Sequence, residues 1–221
     1  MSQSTLPKYD LEDLARPMIT LLDQNQDHFV SWAKIQPLLL DGKPVSPDRI
    51  ATYLGLTQEE VASLLRGAEL DQEGKLVGVG LSIVPTRHSY RILGRQLYVW
   101  CAVDAITYPI LHRASAEIES SDPISGEKVQ LTSTQEGVRN VDPVTAVVSL
   151  VTGMERRENV RAWFCHYAHF FGSVESAAQY VARHPGLVIV PVDQVFRMGQ
   201  LMWKREPYES VMDELSMINE I

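Results

Sequence analysis

Two cysteines and one aspartate are the residues whose types and spacing best support chemistry in this chain. Cys101 and Cys165 are the only cysteines among 221 residues, and Asp104 follows Cys101 by three positions. On a helix, such a spacing puts the carboxylate beside the thiol, where it can exchange a proton with the sulfur or with a bound group. Thiolates are also the protein ligands that soft metals prefer. The pattern therefore predicts soft-metal binding coupled to proton transfer.

The first cysteine belongs to a segment that we predict to be a helix, Trp100–Leu111, bent or ended by Pro109. A cysteine in the first turn of a helix has a lowered pKa, which favours the thiolate. A plainer interpretation stays open for the same residues. Free cysteines are usually buried as small apolar side chains, and an aspartate in a first turn is favoured by the helix dipole.

The second cysteine lies in the aromatic segment Ala162–Phe171, which we predict to be a strand. His166 and His169 would then face opposite sides of the strand, so they are predicted to be structural rather than joint metal ligands. Two cysteines cannot form a zinc site of four cysteines, and no Cys-x-x-Cys motif supports a redox enzyme. A protein that binds mercury or copper without catalysis remains an alternative.

The composition limits the partners. The net charge is −8 and the pI is about 5.2, so nucleic acids and anionic membranes would be repelled. The first residues lack the basic and apolar regions of a signal peptide, and apolar runs such as Val144–Val151 are too short to cross a membrane. We predict a soluble, cytoplasmic protein in which a structural disulfide is not expected.

The N-terminal part predicts a small helical module. Helices are expected at Leu11–Leu22 and Phe29–Leu40, and Ser46-Pro47 and the Thr57–Glu60 capping box each start another. With Lys75–Val84 and Ser89–Leu93 as a strand hairpin, these features resemble a winged helix. We therefore divide the chain into an N-terminal module at 1–88 and a core at 89–221.

A winged helix raises the alternative of a transcriptional regulator. Residues 1–85 contain seven basic and twelve acidic side chains, a balance of −5, and Glu59 and Glu60 begin the candidate recognition helix. Recognition helices normally present this end to the bases, and phosphate contacts need basic residues. The charge favours a module that packs against the core.

The core is predicted to mix helices with short antiparallel sheets, which makes the fold class α+β. A hairpin is expected from Ala116–Ser120 and Lys128–Ser133, and buried strands from Thr145–Val151 and Leu187–Val192. Helices are expected from Ser173 to about His184 and from Asp193 to Lys204, followed by a weakly helical, mobile acidic tail from Glu206.

Two segments around the cysteines resemble the alkylmercury lyase family. They read Leu-Tyr-x-Trp-Cys-Ala-x-Asp at 97–104 and Phe-Cys-x-x-x-His-Phe-Phe at 164–171, with further matches at 146–150 and 199–200. The likeness is strongest over about 88–200. His166 and Asp122 stand where some members of the family have additional cysteines.

The resemblance implies an enzyme that breaks carbon–mercury bonds by protonolysis, with Cys101 and Cys165 as catalytic cysteines and Asp104 as the proton carrier. Arg161 matches an arginine near the family's site. No cofactor is implied: Hg(II) is a product held by Cys101, Cys165 and nearby Asp104, and its release needs free thiols or transfer to mercuric reductase. We expect an apolar pocket in which burial raises the pKa of Asp104, with four candidate lining residues: Trp100, Trp163, Phe164 and Tyr167.

Overall fold

The computed structural model describes residues 9–152 and 159–218, and the side chains up to residue 215. Residues 1–8, which are part of the segment without signal-peptide features, and the last three residues of the acidic tail lie outside this description. The N-terminal part is helical, as predicted. Its elements are α1 (Leu11–Gln24), α2 (Gln26–Ile35), a 3₁₀ turn (Gln36–Leu39), α3 (Pro47–Leu54) and α4 (Gln58–Leu64).

Helix α1 continues through Pro17, which costs a helix interior about 3 kcal/mol. The compensation is an apolar face on which each buried large side chain stabilises the fold by about 1.5–3 kcal/mol. The buried residues of that face are Leu14, Ala15, Met18, Leu21 and Leu22. Tertiary packing therefore outweighs the local penalty.

The predicted helix starts at Ser46 and Thr57 are confirmed. The Ser46 hydroxyl accepts a hydrogen bond from the Arg49 amide, and Gly55 ends α3 with φ +69°. Thr57 and Glu60 form the complete capping box, in which the Glu60 carboxylate accepts from the Thr57 amide at 2.7 Å. This carboxylate occupies the end of α4 that a recognition helix would present to DNA.

An eight-stranded antiparallel sheet follows, with the strand order β1-β2-β3-β5-β4-β6-β7-β8. The predicted hairpin between 75–84 and 89–93 is wrong, because Gly80 (φ +76°) turns the first segment back on itself and β5 lies between β3 and β4. The boundary proposed near residue 88 falls within this sheet, and the winged-helix assignment stays a prediction. The strands are β1 (Glu69–Leu70), β2 (Leu76–Val79), β3 (Leu81–Ser82), β4 (His88–Ile92), β5 (Arg95–Val99), β6 (Ala116–Ser121), β7 (Lys128–Ser133) and β8 (Val138–Asp142).

The central helix α5 (Ala102–Leu111) joins β5 to β6 and is buried at every position except Asp104. Pro109 lies inside its last turn, close to where the sequence predicted the end. The helix packs against α8 (Val192–Trp203), where a Cβ on Gly199 would lie 2.5 Å from the Thr107 methyl group. The close approach requires glycine at position 199.

A second, three-stranded antiparallel sheet has the order β10-β9-β11. Its central strand β9 (Val147–Val151) is fully buried, as predicted, and pairs with β11 (Leu187–Pro191) and the short β10 (Phe170–Phe171). Helix α7 (Val174–Val181) begins at the predicted cap Ser173. The mixed α/β fold class with antiparallel sheets is confirmed.

The predicted strand at Ala162–Phe171 is wrong over most of its length. Its residues form the helical turn α6 (Val160–Trp163), a 3₁₀ turn (Cys165–Tyr167) and only then β10. The Asn159 side chain accepts from the amides of Arg161 and Ala162, which starts a helix and overrides the alternating apolar pattern.

The acidic tail is a packed helix where the structure describes it. Helix α9 (Tyr208–Ile218) buries Tyr208, Val211, Met212 and Leu215, so the expectation of a mobile tail is wrong there. The sequence contains this i, i+3, i+4, i+7 spacing of apolar residues, but acidic residues lie between them and make the pattern less apparent. Across the described residues, no helix has the length and apolarity needed to span a membrane.

Candidate active site

The junction between β5 and α5 positions Cys101 and Asp104. Cys101 is the N-cap of α5, in extended backbone conformation, and its sulfur accepts from the Asp104 amide at 3.5 Å. The thiol also donates to Asp104 Oδ2 at 3.3 Å. The predicted i, i+3 contact is thus present, with the cysteine one position before the helix rather than inside its first turn.

Cys165 reaches the same point from a distant part of the chain. It begins the 3₁₀ turn after α6, and the Ala102 amide donates to the carbonyl of Ala168 at 3.0 Å, which ties this turn to the start of α5. Cys165 Sγ lies 3.9 Å from Asp104 Oδ2. The ligand atoms of Cys101, Asp104 and Cys165 all lie within 4.8 Å of one another. The structure therefore brings the three predicted site residues together.

The carboxyl group of Asp104 is set to exchange protons near neutral pH. Burial raises its pKa from 3.8 to about 7, against hydrogen bonds from Cys101 and Tyr108 and the charge of Arg161, which all lower it. The expected increase is confirmed. A carboxyl group with this pKa can take up and return a proton without a large energetic difference between its two states.

The thiols are held in their protonated forms. Burial raises the pKa of Cys101 well above its usual value, assisted by its hydrogen bond to Cys165 and by the nearby Asp104. For Cys165, the same thiol–thiol hydrogen bond lowers the pKa, but burial and Asp104 together outweigh it and raise the pKa. The lowered pKa predicted for Cys101 is therefore wrong: exclusion of water outweighs the helix N-terminus. Each thiol must therefore give up its proton, either to a neighbouring base or to a ligand that leaves the metal, in order to bind a metal as thiolate.

Comparison with known proteins assigns the family. Residues 81–204 match the family model described as alkylmercury lyase. The alkylmercury lyase of Bacillus cereus is 34% identical over 198 residues, covering 85% of this chain and 90% of that protein. This chain belongs to the alkylmercury lyase family. The corresponding enzyme of Staphylococcus epidermidis is also 34% identical, over 201 residues that cover 89% of this chain and 93% of the relative.

A solved structure has the same fold. The crystal structure of the mercury-bound form of MerB2 superimposes with a TM-score of 0.70 and 22% identity, covering 88% of this chain and 98% of that chain. At this identity the likeness concerns the fold alone. It covers 88% of this chain, so it extends beyond residues 81–204.

Arg161 of this alkylmercury lyase family member lies at the edge of the site, beside Glu69 of β1. The guanidinium is 3.2 Å from Glu69 Oε2 and 4.9 Å from the centre of the Trp100 ring. Glu69 Oε2 also accepts from the Trp100 indole N–H at 3.2 Å and from the Ser82 hydroxyl at 3.0 Å. A carboxylate from the N-terminal part thus holds Trp100 and Arg161, two side chains that border Cys101 and Cys165.

An apolar cavity adjoins Asp104 and Cys165, and about 50 Å³ of it is open to the centre of a water-sized sphere. Trp100 and Phe164 line it, as predicted, but Trp163 and Tyr167 do not. Trp163 faces another cleft, and Tyr167 packs against His184. Six of the lining residues that the sequence did not predict come from α1, α2 and the following turn: Met18, Leu22, Phe29, Trp32, Ala33 and Gln36.

Neither histidine that follows Cys165 joins the cluster of Cys101, Asp104 and Cys165. His166 is exposed, while the His169 ring stacks on that of His88 at 6.0 Å. Among the described residues, the only group of three or more metal-ligand side chains within reach of one another is Cys101, Asp104 and Cys165. The prediction that these histidines are not joint metal ligands agrees with this arrangement. The segment that separates them is a 3₁₀ turn, however, and not the predicted strand.

Proposed function

We propose that this chain is an organomercurial lyase that cleaves the carbon–mercury bond of alkyl- and arylmercury compounds by protonolysis. The observation that carries the proposal is the convergence of two buried thiols and one half-buried carboxyl group within 4.8 Å. Mercury(II) is a soft metal that favours sulfur ligands, and a neighbouring acid supplies the proton that the departing carbon needs.

The reaction starts when one cysteine replaces the ligand that accompanies R–Hg⁺, and the thiol proton leaves with that ligand. The second thiol then passes its proton to the Asp104 carboxylate and binds mercury as a thiolate. Asp104 lies within 3.9 Å of both sulfurs, so either cysteine can be the one that it deprotonates. Mercury now has two sulfur ligands and its organic group, and Asp104 is protonated.

The carbon–mercury bond breaks in the next step. Its electron pair stays with carbon, which receives the proton of Asp104 and leaves as the hydrocarbon R–H. Mercury remains in the +2 state, bound to Cys101 and Cys165, and Asp104 returns to the carboxylate. A pKa near 7 for Asp104 suits both halves of this cycle, since the group must accept a proton from sulfur and give it to carbon.

The apolar cavity is the place that we propose for the organic group. It opens beside Asp104 and Cys165, and its walls are aromatic and aliphatic side chains such as Phe29, Trp32 and Phe164. Such walls favour alkyl and aryl groups by burying their apolar surface. They also exclude water, which keeps the Asp104 carboxyl group available to carbon.

Product release requires a competing ligand, because Hg(II) held by two buried thiolates does not dissociate readily into water. We propose small cytosolic thiols as the acceptors, with mercuric reductase as a protein partner that receives the metal. Both free cysteines must stay reduced for turnover, which fits the reducing cytoplasm.

The deciding experiment is gas chromatography of the headspace above purified protein mixed with methylmercury and excess small thiol. The expected result is methane from the wild type, with at least a hundredfold less from Cys101→Ser and from Cys165→Ser. A double serine variant provides the matched blank. Tight mercury binding without any hydrocarbon would reject the lyase in favour of a non-catalytic mercury-binding protein.

A further inference from the structure

A row of buried polar side chains leads from Asp104 into the N-terminal helices. Tyr108 follows Asp104 by one turn of α5, and both line the same cavity, where the Tyr108 hydroxyl is close enough to lower the pKa of the Asp104 carboxyl group by hydrogen bonding. Gln36, from the 3₁₀ turn after α2, donates to the carbonyl of Val79 at 2.9 Å. It lines the same cavity as Tyr108 and is close enough to lower the pKa of the Tyr108 hydroxyl by hydrogen bonding. Gln36 Oε1 lies 2.6 Å from Nε2 of His112, so the row has four members.

The chemistry of these groups fixes the direction of their hydrogen bonds. Nε2 of Gln36 donates to Val79, which leaves Oε1 as the acceptor for His112. Burial lowers the pKa of His112 to about 4, so its ring is neutral and its Nε2 must carry the single ring proton in order to donate. The second Nε2 proton of Gln36 is available to the Tyr108 oxygen, and the Tyr108 proton is available to Asp104. His112, Gln36 and Tyr108 can therefore each direct one proton along the row towards Asp104.

The backbone confines the Tyr108 hydroxyl at the middle of the row. A Cβ atom added to Gly80 would lie 1.8 Å from the Tyr108 hydroxyl oxygen, so the turn between β2 and β3 lies directly against it. That turn is anchored on both sides: Gln36 binds the carbonyl of Val79, and the Trp100 amide binds that of Gly80 at 2.9 Å. The hydroxyl has little room for any other orientation.

We propose that Tyr108 and Gln36 are positioning residues for proton delivery: Gln36 orients the Tyr108 hydroxyl, and Tyr108 holds the Asp104 carboxyl group with Oδ2 facing both thiols. The inference rests on the proposed lyase function. An unrestrained carboxyl group can rotate away from the carbon that it must protonate, and small misplacements of a reacting group slow a reaction strongly. Gln36 lies in the N-terminal part of the chain, outside residues 81–204, which match the family model. Under this proposal, the N-terminal part therefore contributes to catalysis.

The test compares Tyr108→Phe, Gln36→Met and the double variant with the wild type. The rate of benzene release from phenylmercury is measured in single turnovers with enzyme in excess, which separates protonolysis from mercury release. Thr107→Val is the matched control, since it removes a buried hydroxyl without a hydrogen-bond partner from the neighbouring position of α5.

Tyr108→Phe is expected to slow benzene release roughly tenfold, and Gln36→Met several-fold, while KM and Hg(II) affinity stay within about twofold of the wild type. The double variant should be no slower than Tyr108→Phe, because Gln36 acts only through Tyr108. Thr107→Val should match the wild type. Tyr108→Phe removes one oxygen and keeps the ring, so it remains decisive if Gln36→Met does not fold.

Three results would overturn the inference alone: a wild-type rate in Tyr108→Phe, an increase in KM without a slower single turnover, or rate losses that multiply in the double variant. Absence of hydrocarbon from the wild type would instead overturn the proposed function, and the inference with it.

Discussion

Cys101 and Asp104 are joined twice: the thiol donates to the carboxylate at 3.3 Å, and the Asp104 amide donates to the same sulfur at 3.5 Å. The first contact makes the carboxylate a base for the thiol, and the second keeps the sulfur at the start of α5. The proton of the Cys101 thiol can therefore move to the Asp104 carboxylate and stay there until carbon receives it. Metal binding by the sulfur and proton delivery by the carboxylate belong to different residues, so substitutions can test the two tasks separately.

Asp104→Asn is expected to keep Hg(II) binding and to lose protonolysis by at least a hundredfold, because the amide has nearly the shape of the carboxyl group but cannot accept and return the proton. Titration with Hg(II) in competition with a small thiol measures the first property, and single-turnover hydrocarbon release measures the second. Unchanged hydrocarbon release would assign the proton to another acid.

The pKa of Asp104 predicts how stability changes with pH. The pKa rises from 3.8 to about 7 on folding, so between these values the folded protein binds more protons than the unfolded chain, and stability falls as pH increases. The loss is complete above pH 7 and amounts to at most about 4 kcal/mol for a shift of this size.

Asp104→Asn should remove this dependence. Urea unfolding of both proteins at pH 4.5 and pH 8 is the measurement, since the other titrating groups are shared and cancel in the difference. We expect the variant to gain stability relative to the wild type at pH 8. An equal difference at the two pH values would mean that the carboxyl group is ionised in the folded protein.

The sequence predicts part of this site for a physical reason. Cys101 caps the helix that contains Asp104, and local spacing determines their contact. The contact with Cys165 joins distant segments, and only the resemblance to a family could place that residue at the site. Gln36 has no local signal at all, because its role depends on how a 3₁₀ turn packs against β2 and α5.

The difference between local contacts and contacts of distant segments also explains which parts of the fold the sequence predicts. Caps at Ser46 and Thr57 were predictable because a side chain binds an amide within its own helix. The aromatic residues after Asn159 alternate with small or polar ones, which predicts a strand. In the structure, the aromatic side chains are buried on several sides of a helical segment and not on one face of a sheet. The strand order β3-β5-β4 depends on sheet packing and could not be derived from two neighbouring strand patterns.

Glu69→Gln is predicted to lower the free energy of unfolding by about 1–2 kcal/mol, since the carboxylate accepts from Trp100 and Ser82 and pairs with Arg161. Its side chain is only 19% exposed, which limits screening by water. Urea unfolding of the purified variant measures the effect.

Glu117→Gln is the control for that substitution. Its pair with Arg91 is 3.8 Å long, with side chains 72% and 60% exposed, so little change in stability is expected. Equal effects of the two substitutions would contradict a special role for Glu69 in holding the edge of the site.

Ala33→Leu is predicted to change which organomercurials the enzyme accepts. Ala33 is buried on α2 and lines the cavity beside Asp104, so a larger side chain there occupies space that an aryl group needs. We expect kcat/KM for phenylmercury to fall about tenfold more than kcat/KM for methylmercury, in line with the discrimination that a few methylene groups give in an apolar pocket. Because both substrates are measured on the same preparation, a loss of folded protein cancels in the ratio. An unchanged ratio would place the organic group elsewhere, and the contribution of the N-terminal helices would then be confined to the hydrogen bonds of Gln36.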